Sequence, residues 1–107
     1  MRRGDLVLVS LPGDYGKPRP ALVIQSDLFA EIPSLTLLPM TSEILEAPLL
    51  RITIEPTGRN GLQKRSQVMI DKTHTIRRDK VGQPIGRLGP ADLLAVERAL
   101  ALFLGFA

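Results

Sequence analysis

The sequence predicts a β-rich α+β fold, a small and strongly curved barrel of short strands followed by one C-terminal helix. Three observations predict it. Short apolar runs recur at close spacing, separated by Gly/Pro turns, which is the pattern of a small barrel. Helical periodicity is clear only in the last segment. The chain has 107 residues, 44% of them apolar, enough for one domain over residues 1–107 around a single core.

Asp5 to Leu11 reads as the first strand, ended by Pro12-Gly13. Ala21 to Gln25 is the second, apolar throughout as in a strand covered on both faces. Asp27 to Glu31 suits one helical turn capped by Ser26 or Asp27. Leu35 to Pro39 is the third strand, with Pro39 marking an edge or the strand's end. Leu49 to Ile54 is the fourth, and Glu55 to Gly61 a turn. Ser66 to Asp71 is the fifth, continued by a short piece from Thr73 to Ile76. Gly89-Pro90-Ala91-Asp92 opens the helix, with proline at the first helical position and an acid in the first turn. Leu93, Val96, Leu100 and Phe103 share one face, widened by Leu94 and Leu104, a stripe for core or dimer packing; Gly105 is the C-cap.

Composition narrows the function. There is no cysteine, so a disulfide framework and cysteine metal sites are excluded, and a reducing cytoplasm fits. Met1-Arg2-Arg3 runs straight into Gly4-Asp5, so no secretory signal is expected. The longest apolar stretch, Ala99 to Ala107, is far short of the ~20 residues that span a bilayer. The net charge of +3 suits a polyanionic partner, or simply solubility. One histidine and no close carboxylate pair make a metal site hard to build. Neither G-x-S-x-G, a Walker loop nor a dinucleotide fingerprint occurs.

Arg19 is the candidate that stands out. It lies between Pro18 and Pro20, after the loop Gly13-Asp14-Tyr15-Gly16-Lys17 and before Ala21-Leu22-Val23. Each proline fixes its own φ and extends the residue before it. A guanidinium held this way presents a planar fork suited to phosphate oxygens; the alternative is an arginine snorkelling over the core. With Gly4-Asp5-Leu6-Val7-Leu8-Val9 before it and Leu37-Leu38-Pro39-Met40-Thr41-Ser42 after it, the ordered set resembles the MazF/PemK family of toxin endoribonucleases from bacterial toxin–antitoxin pairs. The resemblance covers nearly the whole chain.

That resemblance implies an SH3-like barrel of mostly antiparallel strands and cleavage of single-stranded RNA without metal or cofactor. The RNA's own 2′-hydroxyl attacks, leaving a 2′,3′-cyclic phosphate and a 5′-hydroxyl. Such chemistry asks the protein only to align the nucleophile and stabilise charge. Arg19 occupies the family's catalytic arginine position and Thr41 its catalytic threonine position. Thr41 also suits an ST-turn or a helix N-cap before Ser42-Glu43-Ile44. Asp14, Tyr15, Gly16 and Lys17 match the substrate-covering loop. There Tyr15 either stacks on an unpaired base or folds back onto the barrel, and Lys17 is a phosphate contact or a solvated cation. Asp71, Lys72 and His74 match a further RNA-binding region. Met69 and His74 stand where PemK-type members carry arginines, so the Arg19/Thr41 pair is the assignment to carry forward. His74 at a strand end also has a structural alternative, as has the charge run Arg77-Arg78-Asp79-Lys80.

The resemblance further implies a cytoplasmic homodimer and a cognate antitoxin whose acidic segment lies in the RNA groove. Two readings compete with it. A CcdB-like gyrase poison would share the barrel, but that family relies on a Trp-Gly-Ile end, and this chain ends Leu104-Gly105-Phe106-Ala107 with no tryptophan. A noncatalytic SH3-like nucleic-acid-binding module would tolerate loss of Arg19 with merely weaker, salt-dependent binding.

Overall fold

In a computed structural model describing residues 1–107, seven strands form one curled, mostly antiparallel sheet, a half-barrel with a single C-terminal helix. The strands are β1 (Asp5–Val9), β2 (Arg19–Val23), β3 (Ser34–Thr41), β4 (Arg51–Ile54), β5 (Ser66–Met69), β6 (His74–Arg77) and β7 (Pro84–Arg87). Helix α1 spans Pro90–Leu104. The order is β4-β5-β3-β2-β1-β7, with β6 also paired to β3.

Most positions of the central strands are apolar because both faces of the sheet are covered there. Leu6, Leu22 and Leu38 lie in register across β1, β2 and β3. They join Met40, Ile54, Val68, Ile70 and Val96 of the helix in one core. Val7, Ala21, Val23 and Leu37 fill a second core on the opposite face with Val9, Leu11 and Leu35.

Strand boundaries moved where hydrogen bonding overrode apolarity. β1 ends at Val9 because the Leu11 N–H turns to the Asp14 carboxylate. β2 starts at Arg19, two residues earlier than its apolar run suggests, since Arg19 pairs with Val9. β3 runs through Pro39 to Thr41. Its far-side partner is β6 up to Leu37 and β5 from Met40, so Pro39 falls in the gap between ladders, where a missing N–H is tolerated. β6 continues from β5 along the same edge of β3 after the excursion of residues 70–73, pairing with the first half of that strand. β7 has no signal in its Pro-Ile-Gly-Arg sequence and exists through pairing with β1 across a bulge at Leu6/Val7.

The helical turn expected from Asp27 forms, but ends at Phe29: a 3₁₀ turn at Asp27–Phe29 is capped by the Ser26 hydroxyl, which accepts from the Leu28 N–H. Helix α1 also follows its signals, with Pro90 first and Gly105 closing it at φ 84°. Val96 is buried and Leu93, Ala99 and Leu100 pack beside it, whereas Phe103 and Leu104 stay half-exposed.

Candidate active site

Where the core face of β1 and β2 runs out beyond Leu6 and Leu22, the next register pair, Leu8 and Pro20, floors an open cleft of about 700 Å³. One wall is the β1–β2 loop with Asp14, Tyr15, Lys17 and Arg19; Thr41 and Ser42 enter from the end of β3; Gln63 and Lys64 face them. A single cleft thus collects both residues expected to be catalytic.

The loop is held from within. The Asp14 N–H donates to the Leu11 carbonyl and the Lys17 N–H to the Asp14 carbonyl, both at 3.0 Å. The Ser10 hydroxyl donates to the Gly16 carbonyl at 3.1 Å. Gly16 takes φ 80°, and Tyr15 takes φ 54° without being glycine, a conformation costing about 1 kcal/mol. That turn leaves Tyr15 97% exposed, so the ring does not fold back onto the barrel.

Arg19 leads β2 with its side chain 35% exposed. Asp14 grips it side-on: Nε donates to Oδ2 at 3.0 Å and Nη2 to Oδ1 at 2.6 Å. Oδ2 also accepts the Leu11 N–H at 3.0 Å. A guanidinium has five donors, and this grip uses only the Nε/Nη2 edge. Nη1 and the second proton of Nη2 have no protein partner and are left for an anion. Asp14 is lowered from the usual 3.8, first by the Leu11 N–H, then by the Arg19 hydrogen bond and charge, with a smaller share from His74; burial opposes them. The side chain of Asp14 is only 7% exposed and stays ionised, with both of its oxygens engaged by Arg19.

Thr41 closes β3 opposite Gln67 of β5. Its Oγ1 accepts the Glu43 N–H at 3.1 Å, the ST-turn anticipated from sequence, with no helix following. Because the hydroxyl accepts there, its own proton remains free to donate.

Other expected RNA contacts lie outside this cleft. Gly16 lines an adjoining groove. Asp71 bonds Arg51 Nη1 at 2.8 Å and Lys72 Nζ at 2.9 Å. Lys72 chiefly, then Arg51, lowers the Asp71 carboxyl below 3.8 against the effect of burial. His74 sits in β6 opposite Leu37, half-buried, and reaches the cleft only through its field at Asp14. The charge run is largely tied up: Arg77 pairs with Asp79 at 2.6 Å, and Arg78 Nε donates to the Ile32 carbonyl at 3.1 Å.

Sequence reasoning missed the far wall, Gln63 and Lys64. Its position depends on buried Asn60, whose Oδ1 accepts the Thr57 and Leu62 N–H groups while Nδ2 donates to the Glu55 carbonyl. The Gly58-Arg59-Asn60-Gly61 turn marks a loop there, but only the fold brings it opposite Arg19.

No three His, Cys, Asp or Glu side chains come together to hold a metal ion. No helix is long and apolar enough to cross a membrane.

Residues 2–104 match the family described as PemK-like, MazF-like toxin of type II toxin–antitoxin system. A probable endoribonuclease MazF of Mycolicibacterium smegmatis (strain ATCC 700084 / mc(2)155) is 47% identical over 108 residues, covering 100% of this chain and 99% of the relative. Among solved structures, an endoribonuclease in complex with its cognate antitoxin from Mycobacterial species superposes with a TM-score of 0.85 at 20% identity, over 100% of this chain and 97% of that one. A MazE–MazF structure from Deinococcus radiodurans gives 0.79 at 21% identity, over 98% and 95%. At such identities the superpositions speak for the fold.

Proposed function

This chain belongs to the PemK-like, MazF-like toxins of type II toxin–antitoxin systems, and from that premise we propose that it is an endoribonuclease cutting single-stranded RNA at a short sequence without a metal ion. The observation that carries the reading is the half-used guanidinium of Arg19: its side edge is locked by Asp14 and its end edge is unpartnered beside Thr41 in the cleft.

The 2′-oxygen attacks the adjacent phosphorus while the bond to the 5′-oxygen breaks. A proton leaves the 2′-oxygen and one joins the departing 5′-oxygen, giving a 2′,3′-cyclic phosphate and a 5′-hydroxyl. The nucleophile is tethered, so holding the backbone in line supplies most of the alignment. Arg19 stabilises the charge gathering on the non-bridging oxygens, and Thr41 donates a hydrogen bond to the same phosphate. Removing one such donor costs about 3 kcal/mol of transition-state stabilisation. Tyr15 offers its exposed ring to an unpaired base. Lys17 and Lys64 flank the backbone from opposite walls.

A second copy pairs with the first, a reading supported by the exposed apolar end of α1 at Leu102, Phe103, Leu104 and Phe106. An antitoxin inhibits by laying an acidic segment where the RNA phosphates bind, as carboxylates suit the free arginine edge. The proteins act in the cytoplasm.

The test is cleavage of a long unstructured RNA by antitoxin-free protein in excess EDTA, with fragment ends mapped and Arg19→Ala in parallel. Cuts at a repeated short word, with cyclic phosphate and 5′-hydroxyl ends and absent in the variant, are expected. Intact RNA from folded protein refutes the reading and turns attention to gyrase.

A further inference from the structure

Thr41 can donate usefully to a phosphate only if its hydroxyl is aimed, and the structure contains a device for aiming it. The strand ends at Thr41, and the chain then crosses Ser42, Glu43 and Ile44, none of them buried. An exposed loop of that kind would ordinarily be free to move. Here both of its ends return to one residue. Thr41 is the register partner of Gln67. Four residues on, Leu45 is clamped by the Gln67 side chain: the Leu45 N–H donates to Oε1 at 3.1 Å, and Nε2 donates to the Leu45 carbonyl at 3.0 Å. The primary amide thus does for Leu45 what a neighbouring strand's peptide would do.

Gln67 is itself rigid. It is 3% exposed and central in its sheet, between Thr41 of β3 and Thr53 of β4. Nε2 also donates to the Thr53 hydroxyl at 3.1 Å, which fixes the amide's orientation and satisfies each of its polar atoms. With both ends of the segment pinned, the Glu43 N–H is presented to Thr41 Oγ1. That bond fills an acceptor site on the hydroxyl and turns its proton elsewhere.

We propose that Gln67 is a positioning residue for RNA cleavage, acting through the Thr41–Glu43 turn; the inference rests on the role given above to Thr41. It makes no contact with RNA. Its effect is on the rate of the aligned complex and not on affinity, since a donor displaced by about 1 Å can cost a hundredfold in rate.

Three variants test this, in single-turnover cleavage of a short RNA below each protein's thermal midpoint. Gln67→Met keeps the length and removes the amide; it is expected to lower kcat by about tenfold to a hundredfold with KM little changed. Gln67→Glu keeps an acceptor for the Leu45 N–H and is expected to fall between Met and wild type; it decides the matter if the Met variant does not fold. Thr53→Val removes one bond from Gln67 while leaving the Leu45 clamp, and is expected to lower stability but not kcat. In a Thr41→Ala background the Gln67 change is expected to add no further loss, because both act through one hydroxyl. The inference is overturned if folded Gln67→Met, or Gln67→Glu in its place, cleaves at the wild-type rate. It is also overturned if Thr53→Val loses as much kcat, or if the losses multiply in the Thr41→Ala background. Failure of the premise looks different: Thr41→Ala would then itself cleave normally.

Discussion

Asp14→Asn is the change that best separates an arginine that is aimed from one that is merely present. Oδ2 of Asp14 accepts from both the Leu11 N–H and Arg19 Nε, and Oδ1 accepts from Nη2 at 2.6 Å. An asparagine has one acceptor oxygen. Placed at the Oδ2 position it keeps the first two bonds and sets its own NH₂ against Nη2; flipped, it sets NH₂ against two donors. Either way the guanidinium swings off the fork, carrying its free end with it. Loss of a whole transition-state donor costs about 10²- to 10³-fold in kcat, and a displaced one less, so Asp14→Asn is expected to lose about tenfold to a hundredfold, less than Arg19→Ala. RNA affinity is expected to hold or rise, because a negative charge beside the cleft has gone. Single-turnover cleavage in EDTA, with RNA binding measured at two salt concentrations, separates the two effects. If Asp14→Asn cleaves as fast as wild type or faster, Asp14 competes with the phosphate for Arg19, and the orienting argument is wrong.

Tyr15→Ala is expected to raise KM about tenfold with kcat nearly unchanged, in line with about 1–3 kcal/mol for a base stacked on an aromatic ring. Tyr15→Gly should bind RNA as poorly yet match wild type in thermal stability, since glycine accepts φ 54° without strain; unchanged KM in both would remove Tyr15 from the RNA path. Gly61→Ala is expected to abolish soluble protein, because its Cβ would lie 2.1 Å from the Ile85 carbonyl oxygen at φ 71°, and a normal melting curve would contradict that packing. Asp14 and Asp71 are both lowered from 3.8. Around and below that value the unfolded chain therefore binds more protons, so the stability these carboxylates contribute above 3.8 is lost as the pH drops through the lowered values. Asp71→Asn is expected to flatten this acid limb and to lower stability at pH 7, where Arg51, already with an unpartnered buried Nε, loses its carboxylate. An unchanged urea midpoint from pH 3 to pH 7 would count against it.

Much of the site was legible because its signals are local. Pro18 and Pro20 constrain Arg19 whatever the rest of the chain does, and Thr41 followed by Ser42-Glu43 carries the ST-turn in its own sequence. The loop glycines likewise announce a turn between two apolar runs. Pro39 misled for the same reason: a proline argues against a ladder position locally, and only the exchange of partners from β6 to β5 makes room for it. Strand β7 was invisible because its sequence holds one large apolar residue, Ile85, and a glycine required by the approach of Asn60.

Local sequence was enough to read a β-rich fold closed by a helix, the apolar strands of its two-sided core, and the arginine and threonine worth watching. Those features follow from backbone propensity, burial and residue chemistry, which act over a few residues. Tertiary structure alone decided that Asp14 grips the side edge of Arg19, that Gln63 and Lys64 form the opposite wall, and that Gln67 holds both ends of the Thr41 turn. Each of those relations depends on strand register and loop closure, and a one-residue shift in register would send the Arg19 or Gln67 side chain to the other face of the sheet.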